Sequence, residues 1–333
     1  MQYELRTQVI EPRRKTFTNL IERYGDRPAS RYEEGSVDVQ ATTNFHYRPL
    51  WDPEHEIFDP EYSALKLTDP YSFLDPRQYY YAPYVTARSH LHDAFGQTLA
   101  YLENRNLIER LPQGWKDLVA QAVVPLRHFE SGGQLLMAFG CKFAYGTTIS
   151  QCLSYASFDR VGNAQIISRL GIALDGGTDA LLATAKQAWM QDADLQPLRK
   201  YVELLLVEKD WAAQHLGLDL VDQLVYGLLY QHLDEAALLG GAGGYSLVAQ
   251  HLNGWYTDNR RWVDALYTAW GNDPEHGVAN KTELAALAAR LLPGAKEAAL
   301  GVARIADRCV DAGAVAYVEA RAEALAAAFA QEA

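Results

Sequence analysis

Proline is unevenly spread along this 333-residue chain, and that unevenness constrains the fold more than any motif does. Pro12, Pro28, Pro49, Pro53, Pro60, Pro70, Pro76 and Pro83 crowd the first quarter, whereas only Pro197, Pro274 and Pro293 follow Pro125. Proline removes a backbone donor and clashes with the preceding turn, so it keeps helix interiors out of the first stretch and leaves room for long helices later. Residues 1–85 also hold Asp52-Pro53, Asp59-Pro60, Asp69-Pro70 and Asp75-Pro76 together with many tyrosines. This is the composition of an extended arm that must find a surface to pack on.

From about residue 86 the apolar period is helical: Val85, His92, Phe95, Leu99 and Leu102 recur at three-, four- and seven-residue spacings, with Gly96 the one breaker. The pattern predicts further helices near 115–140, 141–174, 178–192, 196–233, 245–257, 259–271 and 282–330. Between two of them, Asp175-Gly176-Gly177-Thr178-Asp179 reads as a stop and restart, with glycine in the left-handed position, Thr178 as N-cap and Asp179 in the first turn. After residue 86 no alternating β-branched run is bounded by hairpin turns. The fold class is all-α: an arm over 1–85, a helical bundle over 86–280 and an alanine-rich helical region over 281–333.

Composition narrows the partners. With 49% hydrophobic residues the chain can bury a large core. Its net charge of −12 argues against a phosphate-neutralising surface and hence against nucleic acid. The longest uncharged stretch, Glu235 to Asp258, is broken by Gly240, Gly241, Gly243 and Gly244 and holds Gln250, His251 and Asn253, so no membrane span is expected. Glu4 and Arg6 interrupt the first residues, which lack the apolar run of a secretory signal. Cys141, Cys152 and Cys309 form no C-x-x-C pair, which fits a reducing cytoplasm.

Helical bundles often hold metals between facing helices. A carboxylate-bridged di-iron centre needs Glu-x-x-His on two helices, because i and i+3 side chains leave one face together. The residues three before the nine histidines are Thr43, Asp52, Ala87, Ser89, Pro125, Ala212, Leu229, Val248 and Asp273. None is glutamate, and Asp52-Pro53 and Asp273-Pro274 put proline inside the two aspartate versions. No metal site is expected. Arg127-His128-Phe129-Glu130 is the most site-like cluster, an acid/base or lone-ligand candidate, but one acid and one imidazole complete no site, and a buried ion-paired network accounts for them. Asp159-Arg160, Arg169, Asp175 and Lys209-Asp210-Trp211 read the same way. Gly240-Gly241-Ala242-Gly243-Gly244 follows no strand and precedes no Lys-Ser/Thr, so it is an interhelical connection rather than a phosphate cradle. Tyr79, Tyr80, Tyr81 and Tyr84, then Arg88, with Trp51 upstream, have the composition of a protein interface or of an arm packed on its own bundle.

Several stretches resemble one family. They are Thr43-Asn44-Phe45-His46-Tyr47-Arg48-Pro49-Leu50-Trp51-Asp52-Pro53, Asp75-Pro76-Arg77-Gln78-Tyr79-Tyr80-Tyr81, Pro125-Leu126-Arg127-His128, Asp159-Arg160-Val161-Gly162, Ser168-Arg169-Leu170-Gly171, Leu174-Asp175-Gly176-Gly177-Thr178 and Arg199-Lys200-Tyr201-Val202-Glu203 followed by Asp210-Trp211. In order, they resemble the smaller β subunit of the oxygenase component of bacterial multicomponent phenol hydroxylases, from about residue 8 to 270.

The resemblance implies a ferritin-like, ribonucleotide-reductase-like bundle within a soluble di-iron monooxygenase related to toluene, alkene and methane monooxygenases. It implies partners: an α subunit holding the di-iron centre, a γ subunit, a second β subunit, a small regulatory protein, and a reductase with FAD, [2Fe-2S] and NAD(P)H. The implied reaction adds one oxygen atom of O₂ to a phenol, giving a catechol. The β subunit shares the α fold without its ligands, so no catalytic, cofactor or metal residue is expected here, and the role is structural. Two other readings stand beside it: a self-sufficient helical enzyme using Arg127, His128 and Glu130, and a free-standing binding protein. A β subunit of a toluene or alkene monooxygenase is a near variant; the arm segments favour phenol.

Overall fold

The structure is a computed structural model that describes residues 16–40, 48, 50 and 52–332. Among these residues every regular element is a helix. Two short helices, α1 (Thr18–Tyr24) and α2 (Arg31–Ser36), lie in the arm, and α2 opens with a capping box between Ser30 and Glu33. Then come α3 (Tyr81–Asn104), α4 (Gln113–Leu118), α5 (Arg127–Phe143), α6 (Thr147–Leu174), α7 (Ala180–Gln191), α8 (Gln196–Leu206), α9 (Trp211–Gly227), α10 (Leu233–Leu239), α11 (Gly243–Gly271), α12 (Gly277–Cys309) and α13 (Ala314–Glu332).

α9 is the axis of the molecule. All its residues from Trp211 to Gly227 are buried, the behaviour of a helix apolar on every side. α5, α8, α11, α12 and α13 pack on it, α6 pairs with α5, and α3 closes the outside against α6 and α11. One continuous apolar core runs from Tyr62 in the arm to Leu325 in α13.

Several boundaries differ from expectation, each for a local reason. α3 begins at Tyr81 rather than about 86, because Pro83 falls in its first turn, where no amide donor is needed. The helix expected over 115–140 is a broken path: a π turn (Val119–Val123) and a 3₁₀ turn (Val124–Leu126) carry Pro125 between α4 and α5. The joint expected at 140/141 lies at 144–146, where Gly146 takes φ +120 and a Cβ would come 2.7 Å from the Pro70 carbonyl oxygen. At 175–179 the N-cap is Asp179, not Thr178; the Thr178 hydroxyl donates to Asp175, whose carboxylate accepts the Leu181 amide at 3.2 Å.

The helix expected over 196–233 divides at 207–210. There the Asp210 carboxylate accepts the Ala212 amide at 2.8 Å, capping α9, and the Ala64 amide at 2.8 Å, tying down the arm. The pair expected at 245–257 and 259–271 is one helix, α11. The helix expected over 282–330 divides at 310–313, where Gly313 takes φ +68. α12 runs through Pro293; apolar burial along its inner face, from Leu284 to Ile305, outweighs the roughly 3 kcal/mol that an interior proline costs.

The described arm residues lie over the chain's own bundle. The Lys66 amide donates to Asn280 at 3.0 Å, the Thr68 hydroxyl to Asp273 at 2.7 Å and the Gln40 amide to Thr147 at 2.9 Å, while Tyr62 stacks on Phe143 at 4.5 Å. No helix of the described residues is long and apolar enough to cross a membrane.

Candidate functional site

The centre of the bundle is ionic. α5 contributes Glu130, α6 Arg160, and α9 Asp222 and Tyr226, one turn apart on one face. One nitrogen of the Arg160 guanidinium lies 3.2 Å from the Glu130 carboxylate and the other bonds Asp222, so a single cation clamps carboxylates of two facing helices. The Tyr226 hydroxyl donates to Glu130 at 2.6 Å, and the Asn163 amide donates to that hydroxyl at 3.2 Å. Three rings enclose the guanidinium: Trp255 at 5.1 Å, Phe129 at 5.5 Å and Tyr226 at 6.0 Å. Gly133 makes the room, since a Cβ there would sit 3.1 Å from the Arg160 Nε.

One guanidinium facing two buried carboxylates leaves an excess negative charge. Burial therefore pushes the Asp222 carboxyl up to about 7 even though Arg160 opposes the shift, and its Oδ1 has no hydrogen-bond partner. Burial drives the Tyr226 phenol well above its ordinary range, with Glu130 adding to the shift.

Two further ionic groups flank this centre. On one side Asp159 accepts from Arg88 at 2.7 Å, the Tyr84 hydroxyl at 2.8 Å and the Trp255 indole at 2.9 Å; Arg88 also bonds Asp258 at 2.8 Å. On the other, Asp219 accepts from Arg260, from the Tyr267 hydroxyl at 3.1 Å and from Gln223 at 3.0 Å. Beside Asp219, His215 is fully buried against Trp262 at 5.0 Å, neither ring nitrogen has a hydrogen-bond partner, and burial lowers its pKa to about 4.

The Arg127, His128 and Glu130 cluster does not converge. Glu130 turns into the core, whereas His128 lies along Trp189 at 6.1 Å and Arg127 is half-buried beside it. Asp159 and Arg160, adjacent in sequence, serve different clusters. The residues missed in the sequence are Asp222 and Tyr226; the signal for them was a pair of aspartates, Asp219 and Asp222, inside the otherwise apolar run 216–226.

Of the expected contact residues, Trp51 lies outside the described residues. Tyr79 is half-buried under the guanidinium of Arg77, 4.7 Å from its ring centre. Tyr80 precedes α3 and packs beside Gly35, and Tyr84 and Arg88 spend their polar groups on Asp159 inside the chain. Tyr81 is 72% exposed.

Inward carboxylates on facing helices are the raw material of a metal cage, yet here the space between them is filled by a cation that belongs to the chain. The donor set does not fit a pair of irons. Among the described residues no group of three or more His, Cys, Asp or Glu is placed to hold a metal ion.

A family model described as Methane/Phenol/Alkene Hydroxylase matches residues 51–274. The chain belongs to this family. Within it, the chain is 40% identical to the phenol 2-monooxygenase oxygenase component DmpL of Pseudomonas sp. (strain CF600) over 268 residues, 80% of this chain and 81% of that protein. It is 26% identical to the methane monooxygenase component A beta chain of Methylosinus trichosporium, covering 78% of this chain and 70% of that one. The crystal structure of xenon-pressurized phenol hydroxylase from Pseudomonas sp. OX1 superposes with a TM-score of 0.85 at 35% identity, covering 97% of this chain and 98% of that chain. The ferritin-like helical architecture of these hydroxylases is thus the fold of this chain.

Proposed function

We propose that this chain is the structural β subunit of a multicomponent phenol hydroxylase, working with partners to convert phenols to catechols using O₂ and NAD(P)H. The observation that carries the reading is the guanidinium of Arg160, seated between Glu130 and Asp222 where a catalytic bundle of this type would need exchangeable metal. No bond is broken on this chain. The di-iron centre belongs to an α subunit, and FAD and [2Fe-2S] belong to a reductase; a γ subunit, a second β subunit and a regulatory protein complete the cytoplasmic assembly. The likeness to an oxygenase component and to a beta chain supports this division of labour.

The physical contribution is rigidity. A centre that activates oxygen needs its ligands held to fractions of an ångström, and a large bundle with an ion-paired core limits movement of neighbouring ligand helices. In this reading the N-terminal arm, residues 1–85, also reaches the partner, in addition to the contacts its described part makes with the chain's own bundle. The test is reconstitution: the purified chain is expected to hold no stoichiometric iron and to form no catechol from phenol and NADH, with activity appearing when the larger and smaller subunits, regulator and reductase are added. Stoichiometric iron, or catechol from this chain alone, overturns the reading.

A further inference from the structure

A cavity of about 510 Å³ opens between α11, α12 and α13. α11 contributes Arg260, Asp264, Thr268 and Gly271, which share one face of the helix by their spacing. α12 adds Lys281 and Leu284, and α13 adds Leu325 and Phe329. The volume falls within the roughly 300–1,000 Å³ of small-molecule sites, where a largely apolar lining is joined by a few converging polar groups.

The two sides of the cavity differ in chemistry. One is apolar: Leu284 and Leu325 lie beside Phe329, which meets the Tyr267 ring edge-on at 6.4 Å between centres. The other is charged. Arg260 bonds the buried Asp219 behind it and the exposed Asp264 beside it. Gln223, almost fully buried, donates to Asp219 at 3.0 Å and accepts from Arg321 of α13 at 3.0 Å. Lys281 crosses Gly271, where a Cβ would stand 3.3 Å from its Cε.

The charges do not balance. Arg260 alone serves both carboxylates, so among the described residues Lys281 and Arg321 have no carboxylate partner. Glu283 and Glu323, two residues beyond Lys281 and Arg321, point about 200° away around their helices and do not line the cavity. Asp273, just past Asn272, spends its carboxylate on Thr68 of the arm and on the His276 amide. Three cations facing two carboxylates leave one positive charge over, in a chain whose net charge is −12. A monoanion with a flat apolar body satisfies both sides at once.

We propose that this cavity binds an aromatic carboxylate, with its rings against Leu284, Leu325 and Phe329 and its carboxylate on Lys281 and the spare donors of Arg260. Guanidinium has five N–H donors, enough to hold Asp219 and a ligand together. Because the cavity is shared by three helices, a bound acid would pin the C-terminal helix α13 to α11. The site is separate from the subunit reading and does not depend on it.

The test is calorimetric titration of the full chain near neutral pH with 2-naphthoate, with 2-naphthol as the uncharged analogue and acetate as the acid without a body. The naphthoate is expected to bind one to one, about 10-fold or more tighter than either control, and to raise the melting temperature. Lys281→Met keeps the stem and removes the charge; it is expected to weaken naphthoate binding about 10-fold. Asp264→Asn removes the carboxylate that competes for Arg260 and is expected to tighten binding about 3-fold. Circular dichroism equal to the parent's establishes folding, and Asp264→Asn decides the matter should Lys281→Met not fold. No saturable binding, 2-naphthol binding as tightly as the acid, parent-like binding by folded Lys281→Met, or weaker binding by Asp264→Asn each overturns the proposal. None of these results alters the iron content or reconstituted activity on which the subunit reading is judged.

Discussion

Replacing Arg160 by methionine tests the ionic core most directly. The change keeps an unbranched, buried side chain but removes the cation that two carboxylates share, and breaking one partner of a buried ion pair costs about 3–5 kcal/mol because the remaining charge is left uncompensated. Asp222 softens the loss, since its carboxyl is already pushed up to about 7 and takes a proton readily. Glu130 keeps one hydrogen bond, from Tyr226 at 2.6 Å, but loses its counter-ion, and the contacts of the guanidinium with three rings go too. We expect a loss of about 3 kcal/mol near pH 6. Asp222, already raised and now without its counter-ion, would then hold its proton in the folded state, so stability should fall as pH rises, by about 1.4 kcal/mol per pH unit for that proton. Denaturant titration at pH 6 and pH 8 measures both quantities. A loss below 1 kcal/mol, or an equal loss at the two pH values, would refute the account of Arg160 as the shared counter-ion.

Two other perturbations probe separate parts of the fold. His215 is lowered to about 4, so between its unfolded value near 6.5 and 4 the unfolded chain binds the extra proton and stability falls as pH falls; the full effect is about 3 kcal/mol. His215→Phe should remove that component, seen as a shallower loss of denaturation midpoint from pH 7 to pH 4.5 than in the parent, and parallel curves would refute it. At Gly301 on α12 a Cβ would come 1.9 Å from the Asp194 carbonyl oxygen, backbone against backbone. Gly301→Ala should therefore lower stability by about 1–3 kcal/mol despite alanine's better helix propensity, and a raised melting temperature would contradict that close approach.

Much of the architecture was legible because proline, glycine and apolar period act locally. The all-helical class and the turn at 175–179 follow from such signals. What failed were boundaries decided by distant partners. Thr257-Asp258-Asn259 looks like a helix start, yet α11 runs through it because Asp258 spends its carboxylate on Arg88, 170 residues away, rather than on a backbone amide. Conversely, nothing at 207–209 breaks a helix by composition; the break follows from Asp210 capping α9 while binding Ser63 and Ala64 of the arm. The centre was half legible. Glu130 stood out beside His128, but its partners Arg160 and Asp222 come from other helices, and only their convergence in space turns three scattered charges into one cluster.

That convergence has a consequence for how such a subunit is made. A metal-centred bundle reaches its final form only when ions are delivered, and can surrender them to a chelator. Here the central positive charge is translated with the chain, so the cluster of Arg160, Glu130 and Asp222 closes with nothing delivered from outside.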